Sequence, residues 1–287
     1  MNKWLSCVSV LRIHPLFWVV LGGGVLTGRF REVLLVFLIV LIHELGHAFA
    51  AVALGWNVKK IELLPFGGVA ETEEGAATKP IKEELLITLA GPAQHVWLMG
   101  LSYFLAGQAF WSQDDHRLFL MHNLTILCFN LIPIFPLDGG RLVQLACHSR
   151  WPYKRAMQVA SQISFSVLTA AILSLPLLPF HLNLYAVLTF LVISNYLEQR
   201  QSKYRFIRFL TARHTLESEA PLQTIPLHGS ITVREAVHYL KRSYSHHFTI
   251  GHGDKRVVLK ESTLLAAYFE GGAMQEPLST LIDKRKH

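Results

Sequence analysis

Charge is what this sequence has least of. Of its 287 residues only 16% are Asp, Glu, Lys or Arg, against about a quarter in an ordinary soluble domain. The shortage is uneven. The 90 residues from Glu198 onward carry 14 Lys and Arg and 9 Asp and Glu, which leaves 13 and 11 for the first 197. A single soluble domain is excluded, and so is a disordered chain, which needs charge and few apolar residues. Cysteine is nearly absent too. Cys7, Cys128 and Cys147 form no C-x-x-C pair and cannot frame a disulfide scaffold. No long internal repeat and no low-complexity tract occurs. No small-x-small cleavage site follows the first apolar run, which is therefore expected to be retained.

What is present is apolar: 51% of the chain, with a positive mean hydropathy. A helix needs about 20 apolar residues to cross a bilayer core of about 30 Å. Six runs come near that length, at about 14–28, 32–54, 83–106, 117–137, 156–178 and 180–197. A tight hairpin holding Pro176, Pro179 and His181 separates the last two. With the N-terminus in the cytoplasm, short cytoplasmic segments hold Lys3, Arg12, Lys59, Lys60, Lys79, Lys82, Arg141, Arg150, Lys154 and Arg155. External segments hold Arg29, Arg31 and Arg117. That asymmetry predicts both termini in the cytoplasm. The net charge of +7 then reads as topology and contact with anionic lipid, with no case for nucleic acid.

Two regions break the apolar pattern. Val58–Leu64 is strand-like, Pro65-Phe66-Gly67-Gly68 interrupts it, and Val69–Glu74 resumes, which predicts a hairpin or re-entrant loop. After about residue 218 the order reads β-α-β-β-α: a helix over Ile231–Leu240, strands at Phe248–Ile250 and Val257–Leu259, and a helix from Ser262. The expected fold is an all-α polytopic membrane protein of six transmembrane helices with a re-entrant hairpin and a small C-terminal α/β domain. The expected divisions are a membrane domain over 1–197, a basic juxtamembrane linker over 198–217, and a cytoplasmic domain over 218–287.

The second run contains His43-Glu44-Leu45-Gly46-His47. On a helix, residues i and i+4 share a face about 5–6 Å apart, and two imidazoles so placed reach one Zn²⁺ at about 2.0–2.1 Å. The adjacent glutamate then lies beside the metal's open position, where it can act on a water. Ionisable groups inside a span are expensive and by default functional. The other readings are a buried polar network or a proton relay. A catalytic zinc takes a third protein ligand, for which His95, Asp138, His122 and His148 are candidates. Asp138 follows Asn130-Leu131-Ile132-Pro133-Ile134-Phe135-Pro136-Leu137 and precedes Gly139-Gly140. The prolines break a helix and the glycines permit a sharp turn. Non-helical backbone at membrane depth must be buried in protein or line a wet cavity, and a ligating carboxylate suits such a place. The simpler reading makes Asp138 the cap of a helix over 139–148. Glu44 lies roughly 15 Å from the Leu54 end of its run, so a site partway down, open to the cytosol, is expected.

These residues resemble the site-2 protease family of intramembrane zinc metalloproteases. HELGH in one span and Pro136-Leu137-Asp138-Gly139-Gly140 in a later one carry the likeness. Gly91-Pro92-Ala93-Gln94-His95 is similar to the Gly-Pro motif of the next core span, and Leu64-Pro65-Phe66-Gly67-Gly68-Val69 to the re-entrant loop. The resemblance implies that His43, His47 and Asp138 hold zinc and that Glu44 is the catalytic base. It places Asn130 and Pro136 near substrate and lets Phe66 plug or line the cleft. It extends to the sporulation branch. That implies removal of the pro-sequence of a sporulation sigma factor, pro-sigma-K, control by inhibitory membrane proteins, and residence in the mother-cell membrane around the forespore. The tail resembles a single CBS-type module, which implies adenine-nucleotide sensing. It departs from that pattern where Val257–Thr263 lacks a Gly-x-x-Thr-x-x-Asp stretch, and one module is half the usual pair, so nucleotide binding would call for a second chain and homo-oligomers.

Other readings of the chain predict other features. A transporter predicts related inverted halves, which the sequence lacks, and leaves HELGH unexplained. A non-proteolytic membrane scaffold docking through its tail predicts no bound zinc. A soluble zincin on an anchor fails because the motif lies inside an apolar run. An extended substrate is expected to pair with 58–64 or 69–74 by strand addition. Asn130 or His95 would add a hydrogen bond in the transition state or satisfy freed backbone.

Overall fold

The computed structural model describes residues 11–13, 22–56, 58–64, 67–72, 79–177, 179, 182–215, 220–252, 255–269 and 272–284. The expected run at 14–28 falls largely outside them, and so do Pro65 and Phe66. The chain divides into two compact units. One comprises 1–74, 82–143 and 163–196, the other 75–81, 144–162 and 197–287.

Helices dominate the first unit. They are α1 (Phe30–Ala53), α2 (Ile81–Leu105), α3 (Gln113–Asn130), the start of α4 (Asp138–Arg150), and parts of α5 (Tyr153–Leu173) and α6 (Leu182–Thr215). α3 starts on a capping box in which Ser112 and Asp115 satisfy each other's backbone N–H. Ile39, Leu98 and Phe119 are buried together and join α1, α2 and α3. Ile134 and Leu137 pack with Leu168 of α5 and with Leu188 and Leu191 of α6. Other large apolar residues point outward, among them Leu34, Leu38, Leu86, Trp97 and Phe104. In water that surface would be costly, whereas hydrocarbon accepts it.

α1, α2 and α5 with the turn that extends it to Leu177 are long and apolar enough to cross a membrane. Three of the six expected runs therefore qualify by length and composition among the described residues. α3 has 18 residues and opens on Asp114, Asp115 and Arg117. α6 runs 34 residues without a break, so the basic stretch after 197 is helical through Thr215.

β1 (Leu11–Ile13), β2 (Val58–Leu64) and β3 (Gly67–Thr72) form one sheet, with β2 in the middle. β1 runs parallel to β2, with Leu11 opposite Ile61, and β2 runs antiparallel to β3, with Ile61 opposite Ala70. The expected hairpin is present. Both edges of β2 are taken, and among the described residues β3 is the strand of the hairpin with an unpaired edge.

The second unit holds another three-stranded sheet: β4 (Leu222–His228) parallel to β5 (Ser245–His252), and β5 antiparallel to β6 (Lys255–Lys260). Between β4 and β5 the expected ten-residue helix shrinks to α7 (Val233–Ala236), capped by Thr232 and Glu235, and a 3-10 turn over Val237–Tyr239. α8 (Glu261–Phe269) and α9 (Leu278–Lys284) follow. Val237 and Leu240 reach the core from this short turn, and Leu240 lends its carbonyl to the Tyr153 N–H. The core also holds Phe209, Phe248, Ile250, Leu264, Leu265 and Leu278, all fully buried. Each such side chain contributes roughly 1.5–3 kcal/mol relative to exposure.

Candidate metal centre

α1 carries His43, Glu44 and His47, all within a turn of one another and shielded from solvent except for part of His47. Asp138 is the first residue of α4, where a carboxylate also suits the helix dipole. His43 Nε2 lies 3.1 Å and His47 Nε2 3.3 Å from Asp138 Oδ2, and the two Nε2 atoms are 3.1 Å apart. Among the described residues these three form the group whose ligand atoms converge closely enough to hold a metal ion.

The hydrogen bonds around this cluster fix its protons. His47 Nδ1 faces the Ile87 carbonyl at 2.7 Å and must donate to it. Asn123 donates its amide N–H to the Phe119 carbonyl at 3.2 Å, so its Oδ1 accepts from His95 Nδ1 at 2.9 Å. His95 Nε2 is then the acceptor of the His43 Nδ1–H, at 3.0 Å. Both Nε2 atoms of the HELGH pair are left with bare lone pairs, directed at a carboxylate. Asp138 Oδ2 is buried and accepts no hydrogen bond. Three electron-rich atoms this close repel one another unless a cation lies among them. A proton joins two of the three, whereas a metal ion joins all three. The donor set of two imidazoles and a carboxylate suits Zn²⁺, and the residues present fit that ion.

Two close backbone approaches make this arrangement possible. A Cβ on Gly91 of α2 would lie 2.1 Å from His47 Nε2, so only glycine lets the imidazole rest against that helix. A Cβ on Gly139 would lie 2.2 Å from the Leu131 carbonyl oxygen, and one on Gly140 2.8 Å from that of Ile134. The glycine pair does not form the sharp turn expected for it. It lies in the first turn of α4, and its missing side chains let that turn press onto the 131–135 backbone. The non-helical stretch 131–137 is held from the side by three hydrogen bonds. The Phe135 N–H donates to Ser164 Oγ (2.9 Å), Ser164 donates to Asn195 Oδ1 (2.9 Å), and Asn195 donates back to the Phe135 carbonyl (2.8 Å). Ser164 and Asn195 are both 1% exposed. They satisfy backbone that has left its helix in an apolar surrounding.

The other expected residues are placed differently. His95 stands behind His43 as its hydrogen-bond partner and is not a fourth member of the cluster. His122 has a buried Nε2 without a hydrogen-bond partner and does not join it. His148 belongs to the second unit, against the Tyr153 ring. Asn130 donates to the Ile126 carbonyl of its own helix at 3.1 Å, and Pro136 lies in the turn just before Asp138. Asn123, Ser164 and Asn195 were not anticipated, and Gly91, expected as part of a Gly-Pro motif, had no contact with His47 foreseen for it. The signal for Asn123 and Asn195 was a strongly polar side chain inside an apolar run, the same signal that exposed HELGH.

The sequence comparisons bear on the same residues. Residues 32–114 and 116–171 match peptidase family M50. Stage IV sporulation protein FB of Bacillus subtilis is 36% identical over 276 residues, covering 94% of both chains. The chain belongs to peptidase family M50, the site-2 proteases. A zinc metalloprotease of Methanocaldococcus jannaschii is 32% identical over 159 residues, covering 54% of this chain and 42% of that protein. The solved site-2 protease from the same organism is similar with a TM-score of 0.50 and 30% identity, over 66% of this chain and 89% of that one. This site-2 type metalloprotease is a membrane protein, and its family match runs from α1 through most of α5. HELGH, the Gly91 contact, Asp138 and Ser164 therefore all lie inside the matched region.

Proposed function

We propose that His43, His47 and Asp138 hold one Zn²⁺, that Glu44 is the general base, and that the enzyme hydrolyses a peptide bond in or near the bilayer. The observation that carries this reading is the orphaned Asp138 oxygen facing two bare imidazole nitrogens. Bound there, Zn²⁺ supplies the Lewis acidity that lowers the pKa of a water and polarises a scissile carbonyl. Glu44, buried beside His43, takes the proton of the attacking water and delivers it to the leaving amine. The burial of Glu44 strengthens its interactions with charge developing near it. The substrate is extended at the cut, because a helical carbonyl is already hydrogen-bonded. β3, whose outer edge is unpaired among the described residues, is the strand of the hairpin that can pair with it. Asn130 and Pro136, just upstream of Asp138, line the approach to the scissile bond.

The substrate is the pro-sequence of a sporulation sigma factor of the pro-sigma-K kind. Likeness to a stage IV sporulation protein over nearly the whole chain supports this. It also supports a six-span protein with cytoplasmic termini in the mother-cell membrane around the forespore, restrained by inhibitory membrane proteins. The β-α-β-β-α order of 222–269 supports a CBS-like tail that docks partners. Co-expression with a pro-sigma-K-like substrate tests the proposal. Wild type is expected to cut, and Glu44→Gln and Asp138→Asn are expected not to. Cleavage by either variant at the wild-type rate would overturn the assignment.

A further inference from the structure

We propose that His95 and Asn123 are positioning residues that hold His43 in its metal-binding tautomer and orientation. This rests on the reading of His43 as a zinc ligand. Both residues are completely buried. A buried histidine and a buried asparagine are costly unless every polar atom is paired, and here the pairing runs in one direction. The Phe119 carbonyl accepts from Asn123, Asn123 Oδ1 accepts from His95 Nδ1, and His95 Nε2 accepts from His43 Nδ1. Reversing any link would place two donors or two acceptors face to face. The backbone of α3 thereby dictates that the His43 proton sits on Nδ1 and that its Nε2 lone pair points at Asp138.

The two histidines of HELGH are oriented by different means. His47 is set by a backbone carbonyl of α2, a partner that no side-chain substitution removes. His43 depends on two side chains, so its orientation can be altered by mutation without touching the cluster. Partners of this kind hold ring orientation and raise ligand basicity, and their loss typically costs about 10–100-fold in metal affinity or activity.

The test uses the purified full-length protein in detergent, with zinc affinity measured by chelator competition and cleavage resolved into kcat and KM. His95→Leu removes both links at similar volume. Zinc affinity and kcat are expected to fall about 10–100-fold, with KM for substrate within about twofold. His95→Gln can accept from His43 and donate to Asn123, and is expected to recover most of both quantities. Asn123→Leu repeats the test one bond further out and is expected to lower zinc affinity several-fold, which keeps the proposal testable should His95→Leu not fold. Wild-type zinc affinity in His95→Leu or Asn123→Leu would overturn the proposal. Equal impairment of His95→Leu and His95→Gln would also overturn it, since packing alone would then account for the loss. A His43→Ala control that kept wild-type zinc affinity would show instead that the ligand assignment itself had failed.

Discussion

Each unit of this protein buries a cluster of histidine and carboxylate, and the two are built to opposite ends. In the second unit Glu261 is fully supplied with donors. Arg213 reaches it with Nε and Nη2, and His246 reaches it with its backbone N–H at 2.8 Å and Nδ1 at 3.0 Å. His246 Nε2 in turn accepts from the Lys241 N–H at 3.2 Å. Burial works against the charge of Glu261, but His246 and Arg213 hold its pKa below the ordinary glutamate value. In the first unit the same residue types meet with the donors turned away. The His43 and His47 N–H groups are committed elsewhere, and Asp138 Oδ2 is left bare. The cluster that supplies its own cation balances itself. The one without a cationic side chain is the one proposed to hold zinc. Residue type does not separate them; the direction of each hydrogen bond does.

The largest effects should come from breaking the electron-rich cluster. Asp138→Asn is expected to lose zinc and cleavage together. Glu44→Gln is expected to keep zinc, measured by metal analysis, while cleavage falls about 10²–10⁴-fold. Next is Gly91→Ala, whose new methyl group would occupy the place of the His47 ring. Zinc affinity and kcat should fall by at least tenfold. Wild-type activity in that variant would mean that His47 does not rest against α2.

The second cluster should respond in stability rather than chemistry. Arg213→Met leaves the buried Glu261 carboxylate without its cation and is expected to cost about 3–5 kcal/mol, read as earlier denaturation of the tail. Zinc content per folded molecule should not change. Ser164→Ala and Asn195→Leu free the Phe135 backbone and should lower kcat several-fold through Asp138.

The smallest effect near neutral pH is a slope. His148 is buried, and that burial, with the positive charges of Arg242 and Arg205, pushes its pKa down to about 3. The unfolded chain takes up this proton near 6.5 and the folded chain near 3. Unfolding therefore becomes easier as pH falls from about 6.5 toward 3. Denaturant midpoints measured between pH 7 and pH 5 should decline, and His148→Phe should flatten that decline. A rising midpoint would contradict the assignment.

Much of this was legible along the chain because its signals are local. Apolar length marks spans, and i,i+4 spacing on a helix brings His43 and His47 together whatever surrounds them. The β58–64 hairpin and the strand order of the tail follow from alternation and turn residues in the same way. The ten-residue helix expected at 231–240 was not realised, because core contacts of Val237 and Leu240 override local helix propensity. The Gly139-Gly140 pair was recognised as special for a reason that proved different. Nothing in sequence says which carbonyl a missing Cβ makes room for.

The sequence by itself determined that the front of this protein belongs to a lipid-like environment and that His43, Glu44 and His47, on one helix there, can hold or use a metal. Those facts depend on composition and on spacing within single helices. Spacing alone left four candidate third ligands; the tertiary structure brings Asp138, the one the family resemblance implied, beside His43 and His47, and places His95 behind them. It also decided which way each proton points, through carbonyls of Ile87 and Phe119 that helices α2 and α3 bring to the site. Hydrogen-bond direction depends on partners distant in sequence, and these exist only once the helices have packed.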